Sequence, residues 1–337
     1  MKILIDSRSL AGKQQREKSN RFMTQCRKLF AEKPEIECFF WEHGWDRQLS
    51  SILKKFRADL ILTNGFLSSP GLATPQCSWI PTDLNKSKPL FFYKRRLQKT
   101  LRHSRLVFTD TEKNKQSLLE QYSLNADKII VLYPVADENY HPLSDAEREN
   151  VKMKFAAGRE YFVVTPPYPT TGELIHLLKA FSLFKKRQQS NMQLILAGSD
   201  MEIPIEFYEK LETYKYLPDV RIYDSLNEAE LIKIVTAAYA LLYPFDRGSG
   251  TEMLNAFNCG VPVVAARQTD LTELGEDAAL YADPTDHEQF ANQLNLVYKD
   301  EKLRREIIEK GKFLLDSYNR EHSVVHLSNA LAAAIKN

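Results

Sequence analysis

Closely spaced cysteines, long apolar runs and a charge excess of either sign are all missing from this chain, and each absence removes a class of protein. The four cysteines, Cys26, Cys38, Cys77 and Cys259, are scattered. That spacing excludes a paired-cysteine zinc site and a disulfide framework, and it points to a reducing cytoplasm. No apolar stretch approaches the roughly 18 residues that a membrane span requires. At the N-terminus only Ile3, Leu4 and Ile5 separate Lys2 from Asp6, too short a run for the core of a signal peptide, so MKILID reads as a first buried strand. The formal net charge is only +2, which argues against general binding of nucleic acid, since neutralising phosphates takes an excess of basic side chains on one face. No pair of aspartates stands at a strand end as a divalent-metal clamp, and His322 and His326 lie one helical turn apart without a third ligand. Neither a bound metal nor a cofactor is expected.

What remains is a globular composition of 43% hydrophobic and 27% charged residues over 337 positions, longer than one hydrophobic core usually serves. Two domains are expected. Short apolar runs alternate with amphipathic stretches: KILID at 2–6, ECFFW at 37–41, DLILT at 59–63, RLVFTD at 105–110 and KIIVLY at 128–133. A second series follows with YFVVT at 161–165, QLILAG at 193–198, VRIYD at 220–224, ALLYP at 240–244 and PVVAA at 262–266. Strands separated by helical spacers are the signature of parallel α/β sheets. The polar, proline-bearing segment at 142–158 suits the connection. The division is therefore placed at residues 1–148 and 149–337, leaving open whether the last helix crosses back onto the first domain. Two doubly wound sheets turning the carboxyl ends of their strands to one cleft would bind a ligand there.

Residues 238–284, AYALLYPFDRGSGTEMLNAFNCGVPVVAARQTDLTELGEDAALYADP, carry the most specific signal: strand, glycine-bearing loop, helix and second strand in the order that builds a nucleotide-sugar site. Together with DSLNEAELIKIVTAAYALLYPF at 224–245, this stretch resembles the donor-binding region of the glycosyl transferases group 1, the family 4 retaining glycosyltransferases. The resemblance covers nearly the whole chain and is strongest in the second domain. It implies a GT-B-type fold of two Rossmann-like domains facing a cleft, no required metal, and transfer of a sugar from a nucleotide-sugar donor to a glycan or lipid-linked acceptor with retention, in polysaccharide or glycoconjugate assembly.

Residue by residue, the resemblance is incomplete. The family usually has two glutamates where this chain has Arg247 and Asn255, the first meeting the donor sugar and the second the ribose hydroxyls. Gly248 and Gly250 are kept, with Thr251 and Glu252 opening the next helix. Glycines there let the backbone approach a ligand, and the helix N-terminus aims its amides at phosphates. Asn255 can still hydrogen-bond ribose, and Glu252, about one turn earlier, could partly substitute. Upstream, the family's arginine and lysine that neutralise the diphosphate become Thr171 and Gly172, and its preceding glycine becomes Pro166. The backbone amides that begin this helix are what remains there for an anion. Arg247 either supplies the missing cation or is a loop residue paired with Asp246. In the first domain the family's cleft histidine is Thr82, with Asp83 and Leu84 retained, and its glycine-rich N-terminal loop is AGKQQREKSNRF with Gly12 alone. The catalytic candidates are thus Asp83 and Arg247; the donor-binding candidates are Thr171, Gly172, Gly248, Gly250, Thr251, Glu252 and Asn255.

Between Lys86 and Arg105 the chain carries Lys88, Lys94, Arg95, Arg96, Lys99 and Arg102 with no acidic residue, interleaved with Phe91, Phe92, Tyr93, Leu97 and Leu101. Such a helix can lie on an anionic membrane surface, which would place a cytoplasmic enzyme at the inner face of the membrane near a lipid-linked acceptor. The plainer reading is an apolar stripe turned to the core with a solvated basic face. Two rivals to the transferase stand beside it: a catalytically inactive homologue kept as a binding or partner subunit, and a sugar-phosphate epimerase on the same architecture.

Overall fold

The computed structural model describes residues 1–6, 26–27, 30, 33, 35–41, 48–66, 72–81, 91–166, 170–199, 203–245, 248–318 and 320–336, with backbone only at 91–93, 269, 320–322 and 336. The chain divides into two compact units, Met1–Tyr133 with Asn319–Asn337, and Pro134–Tyr318.

The first unit is built on a six-stranded sheet of β1 (Lys2–Asp6), β2 (Glu37–Trp41), β3 (Leu60–Asn64), β4 (Gln76–Trp79), β5 (Val107–Thr109) and β6 (Ile129–Val131), in the order β2-β1-β3-β4-β5-β6. All pairings are parallel, with Ile3 opposite both Cys38 and Leu60. Helices α1 (Leu49–Phe56), α2 (Phe91–His103) and α3 (Glu112–Tyr122) flank it. The apolar runs read from the sequence become strands because both faces of a parallel sheet are covered. The QCSW strand escapes that reading, since Gln76 and Ser78 are polar. Both are nonetheless buried, and Ser78 Oγ lies 3.0 Å from Thr63 Oγ1 and accepts from Ser104 Oγ at 2.9 Å.

The second unit holds β7 (Tyr161–Val164), β8 (Gln193–Ala197), β9 (Val220–Tyr223), β10 (Ala240–Tyr243), β11 (Val263–Ala266) and β12 (Leu280–Ala282), in the order β12-β11-β10-β7-β8-β9. Its helices are α4 (Asp145–Ala156), α5 (Thr171–Gln188), α6 (Ile205–Glu212), α7 (Glu228–Thr236), α8 (Thr251–Asn258), α9 (Thr269–Gly275), α10 (His287–Lys299) and α11 (Glu301–Ser317). The chain enters this unit at Pro134, and the following helix α4 packs on α7. Its start is fixed by a capping box in which Ser144 and Glu147 each satisfy the other's backbone amide. Phe162, Phe181, Phe184, Leu194, Leu242 and Leu294 centre one core between the sheet and its helices. The last helix, α12 (Arg320–Lys336), joins the first unit: Val324, Leu327, Leu331 and Ala334 form one stripe packed with Ile3, Leu60 and Phe108.

Both sheets are α/β, parallel and doubly wound. In the second unit the chain starts at the central β7, steps outward through β8 to β9, then returns to β10 on the other side of β7. The switch point of such a sheet lies between its first and fourth strands, here β7 and β10, where helices leave for opposite faces and open a crevice.

Candidate functional site

Each strand at the switch point feeds a helix N-terminus. From β10 the chain passes the buried Phe245, then Gly248, Ser249 and Gly250, and enters α8. Gly248 and Gly250 hold φ of 106° and 75°, left-handed backbone that glycine adopts without penalty. Gly250 is the N-cap of α8, and no side chain caps it. A Cβ at Gly250 would lie 2.5 Å from Leu274 Cδ1, so any other residue would have to displace that side chain. Ser249 Oγ lies 2.8 Å from Thr251 Oγ1, which leaves two hydroxyls side by side where the helix begins. Downstream, Gly260 follows α8 at φ 69°, and Val261-Pro262 leads into β11.

From β7 the chain passes Thr165 and Pro166 and enters α5 at Thr171. Thr165 is 5% exposed, and its Oγ1 meets no partner among the described residues. An unmet buried hydroxyl at the carboxyl end of a strand is where a ligand is looked for first. The α5 terminus itself is already occupied. Glu173 Oε2 accepts from Thr170 N at 2.6 Å and Thr170 Oγ1 at 2.8 Å, and Thr170 Oγ1 in turn accepts from Glu173 N at 3.4 Å. This capping box puts a carboxylate at the positive end of the helix, where it competes with any incoming anion. Thr171 and Gly172 sit in that first turn. Gly172 is exposed, and a Cβ there would meet nothing closer than Thr170 Oγ1 at 4.0 Å.

The topology thus brings the predicted donor-side residues to one end of one sheet, with Thr171 and Gly172 after β7 and Gly248, Gly250, Thr251 and Glu252 after β10. Asn255 is on the same helix as Glu252 but has another engagement. It is 8% exposed, and its Oδ1 accepts from the backbone N–H of Asp137 at 2.8 Å. Thr82, Asp83, Asp246 and Arg247 lie outside the described residues, as does the N-terminal loop with Gly12.

In the first unit, a polar cluster that the sequence reading did not single out sits at the carboxyl end of β5. Thr109 Oγ1 donates to Ile80 O at 2.9 Å and Asn114 Nδ2 to the same carbonyl at 3.2 Å. Asn114 also bonds Thr109, and Asp110 is buried beside them. The cluster fixes the end of β4, from which the chain leaves toward Asp83. Its signal was available in TDTEKN, an acid and two hydroxyls bunched at a strand end, but Thr111 also reads as the N-cap of α3, which it is. On α2, Leu97 and Leu101 are buried with Phe66, Ile80 and Val107, while Lys94, Arg95, Arg96, Lys99 and Arg102 are exposed; the guanidinium of Arg96 stacks 4.7 Å from the Phe66 ring. Among the described residues no group of three histidine, cysteine or acidic side chains is placed to hold a metal, and no helix is long and apolar enough to cross a membrane.

Comparison with known proteins agrees with this geometry. Residues 146–313 match the family model described as glycosyl transferases group 1. The O-antigen chain mannosyltransferase B of Escherichia coli is 24% identical over 241 residues, 71% of this chain and 63% of that protein. The D-inositol 3-phosphate glycosyltransferase of Corynebacterium glutamicum is 24% identical over 182 residues, 50% of this chain and 43% of the relative. The chain therefore spans less than two thirds of the curated relatives it matches. Among solved structures, Anabaena HepE in complex with UDP-glucose superposes with a TM-score of 0.79 at 15% identity, over 99% of this chain and 100% of that one; at that identity the likeness concerns the fold, the GT-B type with its two Rossmann-like sheets. A matching model across the unit that holds the switch point, and a matching fold across the whole, lead to one conclusion: through residues 146–313 the chain belongs to the glycosyl transferases group 1.

Proposed function

We propose that this protein transfers a hexosyl group from a nucleotide-sugar donor to a glycan or lipid-linked acceptor, with retention, in the assembly of a polysaccharide or glycoconjugate. The observation that carries the reading is the β7/β10 switch point, where a turn with Gly248 and Gly250 in left-handed backbone opens α8 after β10, and Thr165 keeps an unmet buried hydroxyl at the end of the neighbouring β7. Backbone amides at such a turn take phosphate oxygens. Retaining transfer by this scaffold needs the donor positioned and the departing diphosphate stabilised, with little demand on a general base. Thr171 and Gly172 carry no cation and α5 is capped by its own carboxylate, so the compensating charge falls to Arg247, with Asp83 on the acceptor side. Gly248, Gly250, Thr251 and Glu252 hold the diphosphate and sugar, and Asn255 the ribose. The solved complex of HepE with UDP-glucose and the O-antigen mannosyltransferase support a nucleotide-sugar donor and a surface-glycan acceptor. The reading includes no metal cofactor, a cytoplasmic setting, and peripheral contact with anionic lipid through residues 86–105.

One observation favours a second reading. The carboxylate of Glu173 at the α5 terminus is what a scaffold released from donor binding would retain, and an inactive homologue serving as a partner subunit would show it. Calorimetric titration with UDP, GDP and ADP at low salt, repeated with Arg247→Ala, separates the two. Micromolar binding that is lost in the variant supports the transferase; no heat with any nucleotide sinks it and favours the partner subunit.

A further inference from the structure

The helix that carries the glycine loop is tied to the stretch by which the chain enters the second unit. That stretch is folded on itself: Asp137 Oδ1 accepts from the backbone and side-chain nitrogens of Asn139, both at 3.0 Å, and Tyr140 N donates to Asp137 O at 3.0 Å. Its two ends are then held by two asparagines about one turn apart on α8. Asn255 Oδ1 accepts from Asp137 N at 2.8 Å, and Asn258 Nδ2 donates to Tyr140 O at 2.6 Å. Residues i and i+3 share a helix face, so the pair grips the turn from one side. Glu252, a further turn toward the glycines, lies on the same stripe and close enough to the Tyr140 phenol to help hold it protonated, after burial itself.

We infer that Asn255 and Asn258 form a two-point latch that docks the 137–140 turn on α8, and that Asn255 couples this latch to occupancy of the nucleotide site. The coupling half rests on the transferase reading above; the latch itself does not. The direction of the coupling follows from hydrogen-bond chemistry. A backbone N–H can only donate, so the end of the Asn255 amide facing Asp137 is fixed as the oxygen. The end left for a second partner is Nδ2, a pure donor. A ribose hydroxyl accepting from Nδ2 would hold Asn255 in the rotamer that latches Asp137, so ligand and latch stabilise each other, and linkage makes the effect reciprocal. Where relatives place a glutamate that can only accept, this chain has a residue that accepts from its own backbone and offers a donor to the ligand.

Amide hydrogen exchange of the full-length protein tests this, because the Asp137 amide is itself the latched donor. Without ligand, its exchange is expected to be at least tenfold faster in Asn255→Ala than in the wild type. It should return to within about threefold of wild type in Asn255→Asp, whose carboxylate still accepts. Asn258→Ala is expected to speed it as well, through the other end of the turn. Amides of β10 report whether each variant is folded. Equal exchange at Asp137 in the wild type and in a folded Asn255→Ala overturns the latch, whether or not any nucleotide binds. With saturating UDP or GDP, exchange at Asp137 should slow at least threefold in the wild type and not in Asn255→Ala. A nucleotide that binds by calorimetry yet leaves Asp137 unchanged overturns the coupling. Absence of nucleotide binding sinks the transferase reading and the coupling with it, while the ligand-free comparison still decides the latch.

Discussion

Gly250 and Gly172 both stand where glycine could serve an anion, yet the structure gives them opposite stabilities on substitution. At Gly250 an alanine meets two costs. Its φ of 75° is left-handed backbone, costing roughly 1–2 kcal/mol for a residue with a Cβ. Its Cβ would also stand 2.5 Å from Leu274 Cδ1, and Leu274 is fully buried, so the side chain must be displaced within a packed core at about 1–3 kcal/mol. Gly250→Ala should therefore cost on the order of 2–5 kcal/mol. At Gly172 the Cβ meets only Thr170 Oγ1 at 4.0 Å, an ordinary contact, in the first turn of an existing helix, and the only change is lost freedom in the unfolded chain. Gly172→Ala should be neutral or stabilising by up to about 1 kcal/mol. The three tryptophans, Trp41, Trp45 and Trp79, all precede Pro134, where the second unit begins. The informative assay is thus urea unfolding followed by circular dichroism, with hydrogen exchange of β10 and α8 amides for the second unit. A Gly250→Ala variant within about 0.5 kcal/mol of wild type would refute the reasoning, because neither the strained backbone nor the close packing could then be real.

Restoring a cation at the α5 terminus with Gly172→Lys should strengthen binding of a nucleoside diphosphate by about 1–2 kcal/mol in calorimetry, and no gain would show that the terminus does not face the phosphates. Lys185 is almost wholly buried against Asp219 at 2.9 Å and donates to the carbonyls of Ser190 and Met192. Lys185→Met should therefore lower stability by roughly 2–3 kcal/mol in urea, short of the full cost of a broken buried pair because Arg159 still holds Asp219 at 3.0 Å. Hydrogen bonds from Ser144 to Glu147 and from Thr285 to Asp283 hold both carboxyls below their ordinary values of 4.5 and 3.8. Their contribution is complete above those values and is lost as pH falls through the depressed ones, so the urea midpoint should drop between pH 6 and pH 3 and less so in Ser144→Ala. Lys94 and Lys99 are exposed on α2. The double change Lys94→Glu, Lys99→Glu should cut co-sedimentation with phosphatidylglycerol vesicles at least tenfold, at about 1 kcal/mol per basic residue; an unchanged partition would rule out lipid contact by this face.

The strands with continuous apolar runs were legible in the sequence, and so was the order of elements around the glycine loop. A buried parallel strand must be apolar on both faces, and a glycine before a helix announces left-handed backbone. Two strands were not legible, for different reasons. QCSW hides its burial behind polar side chains, of which Ser78 is met by Thr63 on β3 and by Ser104 just past the end of α2. LYA at 280–282 pairs with β11 over too few residues to show a period.

The site shows the same limit at the level of single residues. Composition and spacing identify where a helix N-terminus falls, but not what already fills it. TTGE at 170–173 reads as a helix start whose amides remain for an anion with the cations lost, and the side-chain geometry shows that a capping box already fills it. Asn255 reads as a ribose ligand by position, yet its oxygen is committed to an amide more than a hundred residues earlier in the chain, a contact that no local pattern could announce. The two observations bear on one question, how a nucleotide-sugar scaffold tolerates losing its charged residues. A carboxylate at a helix end and an amide engaged by a backbone N–H are both self-satisfied, so among the described residues the replaced positions Thr171, Gly172 and Asn255 leave no unpaired charge behind and cost the fold little. Loss of charge at this site is therefore compatible with a stable second unit whether or not the chemistry survives, and stability cannot discriminate between the active and the silent protein. Nucleotide affinity and its dependence on Arg247 can.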